Sequence, residues 1–270
     1  MQLFISPEGG IAGDMFAAAL IDAGADAEKV TAAMQAAAEK LGRATVRHQK
    51  TSDGSSRLFI EVEHHHGHLS SHRATHLLEH LFDDFSVLPA YREFGFRMLN
   101  HLIKAEKEAH ATFDFDMENH HHQHNHQHTD GEGHHHHHHK HEEPEAWLHE
   151  AQDILIDIMG AVMGLQELQA PVNATLTSPV SWGGGSISFS HGTLKVPAPA
   201  TSVMIKNNGI PAQKGPIDTE LFTPTGAAVL SALEAKEVKP FPKGVEAAKL
   251  GASRGTKDLP IPPLRISLYS

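Results

Sequence analysis

The chain contains no cysteine. That excludes disulfides, thiolate metal sites, iron–sulfur clusters and cysteine nucleophiles. Any metal must be held by nitrogen and oxygen. There is also no apolar run of about 18 residues, the length a membrane-spanning helix needs. The first residues, MQLFISPEGG, lack the basic region and long apolar stretch of a secretory signal. A cytoplasmic protein with no membrane partner is expected. Positive charge is scarce: 22 Lys and Arg stand against 33 Asp and Glu, a formal net charge of −11 with His neutral. Nucleic acid is therefore not an expected partner.

What remains is enough for a globular protein. The chain has 270 residues, 40% of them hydrophobic, which fits one large domain or two modest ones. Residues 3–6 read as a strand. A helix follows from Asp14, with Met15, Phe16, Ala19, Leu20 and Ala23 on one face, and stops at Gly24. Asp26 is placed to cap a second helix that ends near Gly42. Residues 44–50 and 57–64 read as a hairpin around Ser52-Asp53-Gly54. Helices are expected over about 71–82, 89–111, 145–166, a short stretch up to Asn207, and from Pro224. Strands are expected over 172–182, 186–190, 245–252 and 262–269, with 191–201 as a turn. The class is α/β or α+β, a mixed sheet with flanking helices. Residues 1–113 and 145–270 form two halves of one domain, separated by a long His-rich loop at 114–144 that is disordered when metal-free.

Histidine is the residue in excess. Of 25, 13 lie in residues 120–141 of the stretch NHHHQHNHQHTDGEGHHHHHHKH. Imidazole suits nickel, zinc and copper. A flexible tract, with His134, His136 and His138 at its centre, binds such ions in many arrangements; it stores metal without fixing its geometry. A second cluster is ordered by periodicity: His72, His76 and His80 share one helical face, preceded by His64-His65-His66 and His68. His residues four apart can chelate one ion, and the same face can simply be solvated.

A third constellation flanks the loop. In WLHEAQDILIDIMG, His149, Asp153 and Asp157 recur every four residues, with Glu150 beside them. Glu106 and His110 end the helix before the loop. If the two helices are antiparallel neighbours, these nitrogen and oxygen ligands come together, His110, His149, Glu150 and Asp153 with Asp157 and Glu106. The spacing serves equally well as an ion-pair face.

Two glycine-rich turns open helices. GGIAGD, with Gly10 and Gly13, offers backbone N–H groups to a phosphate, although Asp14 opposes an anion unless a metal or a pyridinium cation is present. TPTGAA, with Thr223, Thr225 and Gly226, offers a second such place. Thr223 as N-cap with Pro224 following explains it equally. There is no HExxH and no evident nucleophile, which disfavours a zinc hydrolase.

The order GGIAGDM, a His-rich stretch ending in HR, AEKEAH, HE…D…IDI, HGTLKVPAPAT, ELFTPTGAA and GTKDLP resembles the LarC family of nickel-insertion proteins, from about residue 3 to 268. The resemblance implies insertion of Ni(II) into pyridinium-3,5-bisthiocarboxylic acid mononucleotide, giving the nickel-pincer nucleotide of lactate racemase-type enzymes. It implies one nickel–carbon and two nickel–sulfur bonds, and consumption of CTP with a divalent cation by a C-terminal domain that would here be separately encoded. His149, Glu150 and Asp14 are then the catalytic candidates, a base being needed for the ring proton. Homo-oligomers are expected. The chain departs from the family pattern at PEGGIAGDM, at Trp147 in WLHE, and at Ser253 and Arg254 in GASRGT. A non-enzymatic nickel chaperone or store is the alternative reading.

Overall fold

A computed structural model describes residues 1–62, 68–112, 147–149, 151–189 and 192–270. The first half contains β1 (Gln2–Ser6), α1 (Gly13–Asp22), α2 (Ala27–Glu39), β2 (Ala44–Lys50), β3 (Ser56–Val62), β4 (His68–Ser70), α3 (Ser71–Asp84) and α4 (Pro89–Thr112). The second contains β5 (Trp147–His149), α5 (Ala151–Leu168), β6 (Thr175–Leu176), β7 (Val180–Ser181), β8 (Ser186–Phe189), β9 (Gly192–Lys195), α6 (Pro199–Asn208), β10 (Ala212–Gln213), α7 (Pro224–Ala232), β11 (Lys249–Ser253) and β12 (Leu264–Tyr269). Among the described residues no helix is long and apolar enough to cross a membrane.

The architecture is the expected mixed sheet with flanking helices. Six strands run in the order β2-β3-β11-β12-β1-β6. Within that sheet β1 pairs antiparallel with β12 and parallel with β6, while β11 pairs parallel with β3. First and last strands are therefore neighbours. Helix α1 packs on β3, β11 and β12, and α5 packs in turn on α1 and α2. The core is continuous through these layers, from Leu3 and Ile5 of β1 through Phe16 and Leu20 of α1 to Ile158 and Leu165 of α5.

The packing of α5 on α1 decides where the site forms. A β carbon at Gly160 would lie 2.8 Å from the Ala17 β carbon, and one at Gly164 would lie 2.8 Å from that of Leu20. Neither is tolerable, so the bare backbone of α5 lets the two axes approach closely. The paired positions advance together along both helices, so α1 and α5 run parallel and begin at the same end of the molecule. Helix α4 runs the other way against α5: Tyr91 Oη donates to the Ala170 carbonyl at 3.1 Å, and the Leu88 N–H to Gln166 Oε1 at 2.7 Å. The antiparallel arrangement expected for these two helices is thus present. It directs the His110 end of α4 toward the Asp153 end of α5.

Local signals explain many boundaries. The Asp26 carboxylate accepts the N–H groups of Glu28 and Lys29 at 3.0 and 3.2 Å, capping α2. Thr223 caps α7 by accepting the Gly226 N–H at 3.2 Å, with Pro224 next.

Three expectations are corrected. The helix expected from about 145 begins only at Ala151; residues 147–149 form β5, paired antiparallel with β4 so that His149 faces His68 across the ladder. His149 therefore does not share a helical stripe with Asp153 and Asp157. Residues 172–182 are not one strand: β6 joins β1 in the large sheet, whereas β7 pairs with β10. The turn expected at 191–201 contains β9, which makes a hairpin with β8. The His-rich loop and its expected disorder lie outside the described residues.

Candidate functional site

The two glycine-rich turns meet. The Ile11 N–H donates to the Leu221 carbonyl at 2.8 Å, and the Thr223 N–H returns a bond to the Ile11 carbonyl at 3.2 Å. This approach requires small residues. Gly10 has a φ of +90° and sits against the Leu221 carbonyl, while Gly226 lies directly over the Ile11 backbone. The Gly10 N–H bonds Pro7 at 2.9 Å, and the Gly13 N–H bonds Thr225 Oγ1 at 3.2 Å. Gly10, Gly13, Thr223, Thr225 and Gly226 are thus brought together, but the N–H groups of Gly10, Gly13, Thr223 and Gly226 are already bonded within the chain. The turns act as a scaffold that sets the starts of α1 and α7 side by side.

Asp14, Asp153 and Asp157 gather at this end. Asp157 is buried, with 7% of its surface exposed. Its carboxylate packs against Gly13, where a β carbon would lie 2.5 Å from Asp157 Cγ. Thr225 donates its hydroxyl proton to Asp157. Thr225 Oγ1 is also 3.2 Å from Thr223 Oγ1, so the two hydroxyls share a hydrogen bond. Burial pushes the Asp157 carboxyl well above the ordinary range, and the charges of Asp14 and Asp153 add to this against the Thr225 hydrogen bond.

Asp14 is partly exposed. Burial raises its carboxyl to about 6, as does the charge of Asp153, while the N–H groups of Met15 and Asp14 and the Arg57 guanidinium pull it down. The anion seat at the start of α1 is thus taken by a side chain of the helix itself. Arg57, on β3, is a buried cation, 6% exposed, and pairs with Asp258 at 2.5 Å.

Asp14 opens onto a cleft of about 440 Å³. One wall carries Gly9, Ala12, Asp14 and Thr223; the other is the connection between β11 and β12, with Ser253, Gly255, Thr256 and Lys257. Ser253 fastens the walls by donating its hydroxyl to the Met15 carbonyl at 2.6 Å. The volume is within the roughly 300–1,000 Å³ of small-molecule sites.

The remaining candidates lie elsewhere. His72, His76 and His80 are exposed on α3, the last two with ring centroids 4.5 Å apart and edge-on. His110 Nε2 is 3.8 Å from Glu106 at the end of α4, and burial lowers its pKa. His149 is located by its backbone in β5. Glu150, His134, His136 and His138 fall outside the described residues. Among the described residues no group of three or more His, Asp and Glu is placed to hold a metal ion. The sequence placed Asp157 only as one member of the stripe with His149 and Asp153, and did not single out Arg57 or Lys257. The signal for Asp157 was present, as its spacing from Asp153 repeats the stripe.

The nickel insertion protein family pattern matches residues 3–130 and 132–268. A pyridinium-3,5-bisthiocarboxylic acid mononucleotide nickel insertion protein from Desulfitobacterium hafniense is 32% identical over 258 residues, covering 94% of this chain and 54% of that protein. A protein of the same name from Alkaliphilus metalliredigens is 26% identical, covering 96% and 58%. A putative nickel insertion protein from a Synechococcus species is 31% identical, covering 94% and 56%. The chain spans a little over half the length of these relatives. No solved structure gives a significant match. By the extent of the pattern match, the chain belongs to the nickel insertion protein family.

Proposed function

We propose that this chain binds pyridinium-3,5-bisthiocarboxylic acid mononucleotide in the Asp14 cleft and takes part in inserting Ni(II) into it. The observation that carries this reading is the placement of Asp14: a partly exposed carboxylate, backed by the buried Asp157, on the wall of a cleft of about 440 Å³. A pyridinium ring is cationic, and a carboxylate facing it is favoured. Two thiocarboxylates supply the sulfur that this cysteine-free chain lacks. A metal bound between them lies against the ring carbon they flank. Forming a nickel–carbon bond there breaks a C–H bond, and its proton needs an acceptor. A carboxyl poised near 6 meets the requirement of a general base at neutral pH.

Nickel is a substrate in this scheme. The histidine tract gathers it, and His110, His149, Glu150 and Asp153 form the proposed transfer set. CTP with its divalent cation is assigned to the part of the relatives' length that this chain does not span. A second reading, a chaperone or store that only passes nickel on, is favoured by the 25 histidines.

The test is conversion of the mononucleotide to its nickel adduct, followed by mass spectrometry, with Ni(II) and CTP present and the rest of the family's length supplied. Asp14→Asn is expected to lower the rate by about a hundredfold or more, in line with the loss of a general base, with nickel per chain unchanged. An undiminished rate would leave the chaperone reading standing.

A further inference from the structure

The cleft is polarised. Its Asp14 wall is acidic, with Glu220 also contributing to the lining. The opposite wall, the segment from Arg254 to Asp258, carries three charged side chains, and two of them are committed. Arg254 Nε pairs with Asp53 at 2.6 Å, and its Nη1 donates to the Ile261 carbonyl at 2.8 Å. Asp258 is held by the buried Arg57. These anchors fix the segment at both ends. Between them Lys257 lines the cleft, exposed, with no ion pair or hydrogen bond among the described residues. Thr256, beside it, is an exposed hydroxyl on the same wall. The glycine-rich turns compete poorly for an anion: the N–H groups of Gly10, Ile11, Gly13, Thr223 and Gly226 are already bonded within the chain. The start of α1 faces a carboxylate of its own.

We infer that Lys257, assisted by Thr256, forms the anion-binding end of the cleft and receives the phosphate of the mononucleotide, so that the pyridinium ring lies toward Asp14. The identity of the ligand rests on the function proposed above; the anion subsite itself rests on the wall geometry. This orientation sets the two ends of the substrate apart by charge, dianion to ammonium and ring cation to carboxylate. An ammonium on a flexible stem, with no partner among the described residues, costs little to bring to a phosphate.

The full chain would be titrated calorimetrically with the mononucleotide, with the same compound lacking its phosphate, and with inorganic phosphate. Lys257→Ala is expected to weaken mononucleotide binding about tenfold and to leave the dephosphorylated compound unaffected; Lys257→Arg should retain most of the affinity. Equal weakening of both compounds, or of neither, overturns the subsite while leaving the substrate assignment intact. Phosphate binding that depends on Lys257, without any binding of the mononucleotide, supports the subsite and removes the assignment. If wild-type chain binds neither phosphate nor mononucleotide, both fall. The side chain is exposed, with no ion pair or hydrogen bond among the described residues, so the variants keep the fold.

Discussion

The Asp157 carboxylate lies against the α carbon of Gly13, in the space a β carbon would need. This contact joins the first turn of α1 to the second turn of α5 and brings Asp157 behind Asp14. Gly13→Ala is therefore expected to push the helices apart at their shared start, at a cost of about 1–3 kcal/mol, the usual penalty of overpacking. Urea denaturation measures it. A midpoint equal to that of the wild type would mean that α5 does not press on α1 here.

The acidic pair has a pH signature. Both carboxyls are raised above their ordinary range, Asp14 to about 6, chiefly by burial. A raised carboxyl favours the fold while protonated; that contribution is complete below the ordinary value near 4 and is lost as pH rises through the folded value. Wild-type stability should thus lose this contribution between about pH 4 and 6 and beyond. Asp157→Asn keeps the shape and the acceptor for Thr225 but removes one charge. The variant should match the wild type below about pH 4 and exceed it increasingly as pH rises toward neutrality. Burial lowers the pKa of His48, His101 and His110, which acts in the opposite direction, but in both proteins alike, so the difference isolates the pair. A difference independent of pH would refute the coupling.

Local chemistry was legible in the sequence. Asp26 and Thr223 act as the caps their positions announce, and Ala44–Lys50 pairs with the strand after Asp53-Gly54 as the turn residues indicate. What pairs across distance was not. The ladder of β5 with β4 joins residues about 80 apart, and nothing within WLHE distinguishes that strand from the first turn of a helix. Asp157 sat on a polar stripe that read equally as a metal-ligand set or an ion-pair face. It is buried because α1 offers a glycine opposite it, a fact about two helices some 140 residues apart. The Gly160 and Gly164 spacing was the available sign that α5 meets a partner closely. The cleft needed both glycine-rich turns and the β11–β12 connection assembled before Lys257 had a place in it.

Metal handling should divide into a bulk store and a selective step. Removing residues 120–141, which hold 13 histidines, is expected to lower the nickel bound by several ions and to leave one tighter site. Equilibrium dialysis counts both; no residual site would sink the idea of a separate centre. With imidazole and carboxylate ligands only, copper should outcompete nickel, following the divalent series. Binding by the tract should weaken below about pH 6, as imidazoles with an ordinary pKa near 6.5 take up protons. A marked intrinsic preference for nickel over copper would show that the ligand geometry is more restrictive than this.

Nickel transfer itself should depend on His149 and not on the tract. His149 belongs to a three-residue strand, hydrogen-bonded in register to the strand that leads into α3, so its backbone has a fixed position next to the start of α5. A ligand held in place is what directed transfer requires. His149→Ala is expected to abolish formation of the nickel adduct in the same conversion assay, while total nickel bound barely changes, because the tract masks one lost ligand in a bulk count. His136→Ala, in the tract, should transfer nickel normally. Equal behaviour of the two variants would remove His149 from the transfer set. The exposed face of α3, where His76 and His80 already stack edge-on at 4.5 Å with His72 one turn before them, would then be the next place to substitute.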